Sequence, residues 1–180
     1  MTLTSNFVRA LNPFTGFSDA RQAFDAARLG AFVLIASAGQ SVVSNLFMRS
    51  DPEELKALMI RAEGPVSLEG AAVNEALYAQ VAPLVTLILW TTTVLTVVIC
   101  AVLAWVQWRK VTRLIPMLYL LVFGTSVLAV VATLADPHLR VLAMDWGSLV
   151  HAIIGVLLAV VMLTAYRGAS HYHALQGDLS

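Results

Sequence analysis

The sequence predicts an all-α integral membrane protein, and three observations indicate that class. Apolar residues make up 59% of the 180 residues and charged residues only 12%, whereas soluble domains have roughly 45–50% and about 25%. Mean hydropathy is +0.80. Four apolar stretches reach the length of about 20 residues that a helix needs to cross the bilayer core. Because backbone groups in lipid must be hydrogen-bonded within their own segment, such stretches fold as helices.

The four predicted spans are nearly free of charge and end at polar or charged residues. No Asp, Glu, Lys or Arg lies in the middle of any span. The second span is the longest, so we expect it to tilt or to extend beyond the membrane. The predicted spans are residues 29–48, 81–106, 114–134 and 144–166. Together they predict a four-helix bundle, which forms the transmembrane domain over residues 29–166.

Basic residues are distributed unevenly between the segments that flank the spans. Seven lie in the terminal segments and the second loop, and four lie in the first and third loops. Loops rich in Lys and Arg stay in the cytoplasm. The N-terminal segment, residues 1–28, and the C-terminal tail, residues 167–180, are therefore predicted to be cytoplasmic. The predicted location is a bacterial inner membrane.

Two segments outside the spans are predicted to be helical. Residues 18–28 place apolar side chains on one helical face, which predicts a short amphipathic elbow in the membrane interface. The alternative for this segment is a docking helix for a partner. In the outer loop, residues 49–77, Ser50 and Glu53 form a capping box. The loop is therefore predicted to be a small acidic helical hairpin outside the cytoplasm, whose second helix continues into the second span. Its acids are interpreted as solvated charge, with binding of a cation or a basic partner as the alternative.

The first predicted span carries the densest set of polar residues at membrane depth. Most of them recur at spacings of three and four, so they share one helix face. We call this set the polar stripe, and it consists of Ser37, Gln40, Ser41, Ser44 and Asn45. Interhelical hydrogen bonding in close packing is the favoured interpretation. A polar path for a ligand or an ion is the alternative.

His151 is the only histidine within a predicted span. An ionisable group at membrane depth is a functional candidate by default, here as a proton relay or a metal ligand. A hydrogen-bonded packing role is favoured, because the sequence shows no carboxylate partner at the same depth. Asp145 is six residues away on the same helix, and this spacing does not place the two side chains on one face. An acid–base pair acting on lipid is therefore the least favoured interpretation.

Several functional classes are excluded by composition and motif. The formal net charge is zero, so the chain lacks the excess of basic residues that is typical of nucleic-acid-binding proteins. A haem site between spans needs paired histidines, but His138, His171 and His173 lie outside the predicted spans. The sequence contains no phosphate-binding glycine loop, nucleophile elbow or zinc-protease motif. We therefore expect no catalytic residue, no cofactor and no metal site, and we expect that the chain is not an enzyme.

The order of several features resembles the bacterial branch of the Ypt-interacting (YIP) membrane proteins. An Asn-Pro-Phe segment (residues 12–14) precedes the first span, and a charged outer loop (residues 51–75) follows it. The long second span leads through a basic turn (residues 108–113) to a third span that ends near Asp136. The resemblance covers roughly residues 10–137. YIP proteins usually have five spans, one more than predicted here. The resemblance implies a non-enzymatic membrane scaffold and assigns no functional residue.

The favoured function is a non-catalytic scaffold or accessory subunit of a membrane complex, acting through helix packing. Its expected partners are the lipid bilayer and either further copies of the chain or a larger membrane protein complex. The alternative is a small transporter or channel that uses the polar stripe together with His151. A membrane enzyme that acts on lipid is the third and least favoured hypothesis.

Overall fold

All regular structure in the described part of the chain is helical. The computed structural model describes residues 16–17, 19–48, 68–135 and 146–177. Its helices are α1 (Ala20–Met48), α2 (Leu68–Lys110), α3 (Leu114–Ala135) and α4 (Trp146–Gly177). Each helix contains a stretch that is long and apolar enough to cross a membrane. The helical class predicted from the sequence is therefore confirmed, and the described part of the chain contains four helices that are long and apolar enough to span a membrane.

The second helix, α2, is much longer than a bilayer requires. Its 43 residues extend about 65 Å at 1.5 Å per residue, roughly twice the thickness of the hydrocarbon core. The helix continues through Pro83. Because α2 begins at Leu68, a helix at the end of the outer loop does run into the second span, as predicted. The first predicted helix of that loop lies outside the described residues.

The first helix, α1, has the most extensive contacts with other helices. It packs against both α2 and α4, whereas α3 packs mainly against α4. A larger share of α1 is buried than of any other span, although α1 is the least apolar of the four. Polar side chains are tolerated at membrane depth when they face other helices and not lipid. The position of α1 therefore explains how the first span can carry the polar stripe.

The tightest packing lies at one end of the molecule, where the start of α1 meets the ends of α2 and α4. Small buried residues line the contacts there, and they include Ala27, Ala31, Ala165 and Ala169. Six basic and two acidic side chains are described at this end. We call it the basic end and define it as residues 16–28, 107–116 and 165–177.

The N-terminal part of α1 differs from the elbow predicted over residues 18–28. The structure has one helix from Ala20 to Met48, with no break between the predicted elbow and the span. The reason is tertiary packing. Ala23 and Ala27 are fully buried, and Phe24 stacks with Tyr172 of α4 at 5.2 Å between ring centroids. Part of the apolar face that we expected to lie against lipid is thus covered by protein, and the position of this segment in the membrane interface stays a prediction.

The fourth helix continues beyond the predicted span, which ends at residue 166. The segment expected to be a cytoplasmic tail is helical as far as Gly177. Gly168 and Ala169 are buried in this extension, and the extension packs against the N-terminal part of α1. The N-terminal part of α1 and the C-terminal extension of α4 cover each other. Their contact produces the close packing of the basic end.

Candidate functional site

Three residues of the polar stripe form hydrogen bonds to α3 and α4. Ser37 Oγ lies 2.9 Å from the hydroxyl of Tyr119 on α3. Gln40 Nε2 donates to the backbone carbonyl of His151 on α4 at 3.0 Å. Ser44 Oγ lies 2.9 Å from Nδ1 of the same histidine. The structure therefore brings His151 together with the polar stripe and holds it through both its ring and its backbone.

The last residue of the stripe binds the remaining helix. Asn45 Nδ2 donates to Thr93 Oγ1 on α2 at 3.1 Å, and both residues are buried. The Thr93 hydroxyl also donates to the carbonyl of Leu89 at 2.8 Å. The Ser41 hydroxyl has no hydrogen-bond partner among the described residues. Four of the five stripe residues thus form hydrogen bonds to α2, α3 or α4.

The chemistry available to this set is that of hydrogen bonding between helices. Such bonds in membrane proteins contribute on average about 0.6 kcal/mol each. Within the described ranges, no three His, Cys, Asp or Glu side chains come close enough together to hold a metal ion. Asp145, the acid–base partner considered for His151, lies outside the described residues. The side chain of His151 is exposed, so it lies at the edge of the cluster and not in its interior.

The sequence interpretation missed the role of Gln107, which we took as the polar end of the second span. Gln107 is fully buried. Its Nε2 donates to the carbonyl of Ala27 at 3.0 Å. Its Oε1 accepts hydrogen bonds from the backbone N–H and the hydroxyl of Thr112, each at 3.2 Å. The amide therefore ties α1 to the turn between α2 and α3. The sequence did contain one indication that Gln107 is buried. Its spacing from Ala104 and Val111 places the three residues on one face at the end of α2.

The turn that follows α2 has a backbone conformation unusual for its residue. Val111 has a φ angle of 38°, in the left-handed region that β-branched residues rarely adopt. Such a conformation costs about 1–3 kcal/mol and persists when its surroundings impose it. The Val111 N–H donates to the carbonyl of Gln107 at 3.1 Å. Its carbonyl accepts a hydrogen bond from Nε2 of His173 on α4 at 3.1 Å. The turn is therefore held by α1, through Gln107, and by α4.

A second side chain whose role the sequence did not indicate is Arg28, which was counted only as a basic residue. Its guanidinium carbon lies 4.4 Å from the centroid of the Phe24 ring and 4.6 Å from that of the Trp108 ring. Arg28 Nε donates to the carbonyl of Trp108 at 3.2 Å. Trp108 in turn meets the edge of Phe32 at 5.6 Å. The arginine is thus fixed between α1 and α2 at the basic end.

Among the described glycines, Gly168 on α4 has the closest neighbouring backbone. A Cβ at this position would lie 2.7 Å from the carbonyl oxygen of Ala23 and 2.9 Å from the backbone nitrogen of Ala27. The backbones of α1 and α4 are therefore so close here that a residue with a Cβ at position 168 would force one of the two helices to shift. Gly155, also on α4, has a less restrictive neighbour: a Cβ there would lie 3.3 Å from a ring carbon of Phe123. Gly168 was missed because it lies beyond the predicted span.

Comparison of the chain with known protein families, with curated proteins and with solved structures finds no match in any of the three. The resemblance of its layout to the YIP membrane proteins therefore stays a prediction.

Proposed function

We propose that the chain is a non-catalytic membrane protein that acts through helix packing, as a scaffold or an accessory subunit of a larger membrane complex. In this proposal the four helices form a bundle in a bacterial inner membrane. The observation that carries the proposal is the hydrogen bonding of the polar stripe. Four of its five side chains bond to α2, α3 or α4. Polar groups at membrane depth therefore support contacts between helices, and little polar surface is left for chemistry.

The charge of the basic end supports an orientation with both termini in the cytoplasm. The described basic residues are Arg21, Arg28, Arg109, Lys110, Arg113 and Arg167, and all of them lie at this end. Clusters of Lys and Arg next to a span favour the cytoplasmic side. The start of α1 and the end of α4 both belong to this end, so one orientation accounts for both termini.

The outward surface of α3 is where a partner helix is expected to pack. Leu121 and Leu128 are 59% and 69% exposed, and between them lie Gly124, Thr125 and Ser126. The two hydroxyls bond back to the carbonyl oxygen of Val122 on their own helix. A Cβ at position 124 would have no atom within 4 Å. Small residues on a lipid-facing surface allow another helix to approach closely, so this surface suits a second copy or a partner subunit.

The proposal predicts that Gly124→Leu weakens association without destabilising the single chain. A Cβ at this position would have no described atom within 4 Å, but a leucine would obstruct a helix packed on this surface. Overpacking costs about 1–3 kcal/mol, so we expect association to become about tenfold weaker or worse. The measurement is native mass spectrometry of protein extracted from its own membrane in mild detergent. Wild-type protein should carry a reproducible partner protein or further copies of itself.

Val130→Leu is the matched control, because Val130 is also exposed on α3 and already carries a side chain. This variant should retain the complex, whereas Gly124→Leu should lose most of it. A wild-type chain that is strictly monomeric and free of any protein partner would contradict the proposal. Equal retention of the complex by both variants would show that this surface of α3 is not the contact.

The alternative is a small transporter or channel, and one observation favours it. His151 is exposed while its ring bonds Ser44, so an ionisable group is accessible beside the polar stripe. This alternative predicts that Gln40→Leu and His151→Leu each abolish proton flux in reconstituted vesicles while the protein remains folded. Gln176→Leu is the control, because that exposed amide lies at the basic end. Unchanged flux in both stripe variants would eliminate the alternative.

A further inference from the structure

The guanidinium of Arg28 is fixed in place but retains most of its hydrogen-bonding capacity. An arginine side chain has five N–H donors, and here only Nε has an acceptor, the carbonyl of Trp108. Its terminal Nη groups have no hydrogen-bond partner in the described part of the chain. The rings of Phe24 and Trp108 hold the plane of the group. A planar fork of donors that is held rigidly matches the geometry of a phosphate group.

The surface around Arg28 changes from apolar to cationic along a single face of α1. Spacings of three, four and seven residues place Arg21, Arg28, Phe32 and Ile35 on this face. Phe32 and Ile35 are 54% and 58% exposed, and Arg21 is exposed about 10 Å beyond Arg28 toward the N-terminus. Exposed apolar side chains therefore continue directly into the positive charge of Arg28, which is half-buried, and of Arg21, which is exposed.

The neighbouring face of α2 makes the same transition. Trp105 and Trp108 are 61% and 43% exposed, and the guanidinium carbon of Arg109 lies 5.4 Å from the centroid of the Trp105 ring. Tryptophan is enriched where the hydrocarbon of a membrane meets the headgroups. The indole N–H of Trp108 has no hydrogen-bond partner within the described ranges. The two helices thus form one continuous surface that is apolar on one side and cationic on the other.

We propose that Arg28, together with Phe24 and Trp108, forms a binding site for the phosphate of an anionic phospholipid. The Nη groups of Arg28 bind the phosphate oxygens, and the acyl chains lie over Phe32 and Ile35. The excess of basic over acidic side chains at the basic end selects an anionic headgroup over a zwitterionic one. A lipid is favoured over an acidic peptide because the exposed surface next to the guanidinium is apolar.

The first test is the relative affinity for spin-labelled phosphatidylglycerol and phosphatidylcholine, measured by electron spin resonance in phosphatidylcholine vesicles. We expect the wild-type protein to prefer phosphatidylglycerol by about fivefold or more. Arg28→Lys keeps the charge but loses the planar fork, so this preference should fall by about twofold or more, to the part that the remaining positive charge of the basic end supplies. Arg113→Lys is the matched control, because Arg113 is an exposed cation at the basic end with no ring contact in the described structure. It should leave the preference unchanged.

Equal preferences in the wild type and both variants would show that diffuse charge attracts the lipid, and this outcome would overturn the proposal. So would a wild-type protein that does not distinguish the two lipids. Inorganic phosphate in the millimolar range should not displace the labelled lipid, because the free ion has no acyl chains to bind the apolar surface. Displacement by inorganic phosphate would identify a site for the free ion and would also overturn the proposal.

A second measurement uses only the wild-type protein, so it does not depend on the folding of any variant. Phosphatidylglycerol with a photoreactive group on its headgroup should crosslink to peptides that contain residues 21–32 and 105–109. Phosphatidylcholine with the same group should not enrich these peptides. Crosslinks spread evenly over the ends of all four helices would contradict a defined site.

Discussion

Substitution of Gly168 by alanine is expected to separate α1 from α4 and to lower the free energy of unfolding. The new Cβ would lie 2.7 Å from the carbonyl oxygen of Ala23 and 2.9 Å from the backbone nitrogen of Ala27. Both atoms belong to the backbone, so no rotation of a side chain can relieve the clash. Overpacking of this kind costs about 1–3 kcal/mol, more than the gain of up to about 1 kcal/mol in helix propensity from Gly to Ala. The expected result is net destabilisation.

The loss of stability can be followed through Cys100, the single cysteine of the chain. Cys100 lies partly buried on α2, so its reaction with a thiol-specific fluorophore during heating reports unfolding in detergent. Gly39→Ala is the matched control: it makes the same change on α1, where a Cβ would have no atom within 4 Å. The Gly39 variant should unfold at or slightly above the wild-type temperature, and the Gly168 variant well below it. Equal shifts in the two variants would contradict the close approach.

Replacement of Gln107 by leucine should be the second strongly destabilising change. The leucine retains most of the side-chain volume, but it removes three hydrogen bonds of a fully buried amide. The backbone N–H of Thr112 loses its acceptor, and a buried polar group without a partner costs about 1–3 kcal/mol. Loss of the link to α1 also releases the turn that holds Val111 at its positive φ angle. We expect a lower unfolding temperature and faster hydrogen exchange at residues 110–114.

Gln176→Leu provides the comparison for Gln107→Leu, because it makes the same chemical change at an exposed site of the basic end. Among the described residues, the Gln176 amide donates only to the hydroxyl of Tyr172, at 2.8 Å. The Gln176 variant should therefore unfold close to the wild-type temperature. A Gln107 variant as stable as the Gln176 variant would show that the buried amide does not hold the turn.

The two destabilising changes act at the same end as the lipid site, and this has a mechanistic consequence. Gln107 and Gly168 set the position of α1 relative to α2 and α4. Arg28 lies on α1 and binds the backbone of Trp108 on α2, so the geometry of the fork depends on that position. Along their length, α2 and α3 leave broad apolar surfaces exposed. We infer a division of roles, with a rigid basic end at the headgroups and apolar faces available to partner helices.

The apolar helices could be predicted from the sequence, but only some of their ends could. The third span was predicted at residues 114–134, and α3 runs from Leu114 to Ala135. Leu114 follows a turn, and the apolar stretch ends where the chain becomes polar, so the pattern alone locates both ends. The fourth span was expected to end at residue 166, yet α4 continues to Gly177. Hydropathy measures partition into lipid, and the extension of α4 is stabilised by contact with α1.

The polar stripe shows where prediction from residues succeeds and where it ends. Helical spacing was enough to place Ser37, Gln40 and Ser44 on one face of α1. It did not indicate that Ser37 meets Tyr119 or that Gln40 and Ser44 both meet His151. These partners are separated by 82 or more residues along the chain. Which polar groups meet depends on the arrangement of the helices, and one helical pattern is compatible with several arrangements.

Composition and periodicity alone are enough to predict that this protein is helical, that it has four helices long and apolar enough to cross a membrane, and that the first of them has a polar face. They suffice because lipid imposes local requirements: apolar length and a helix that satisfies its own backbone groups. The tertiary structure shows that Gln107 is buried, that Gly168 lies against another backbone and that Arg28 is held by two rings. These properties arise from contacts between α1, α2 and α4. No window of the sequence contains such contacts, because packing joins residues that are distant along the chain.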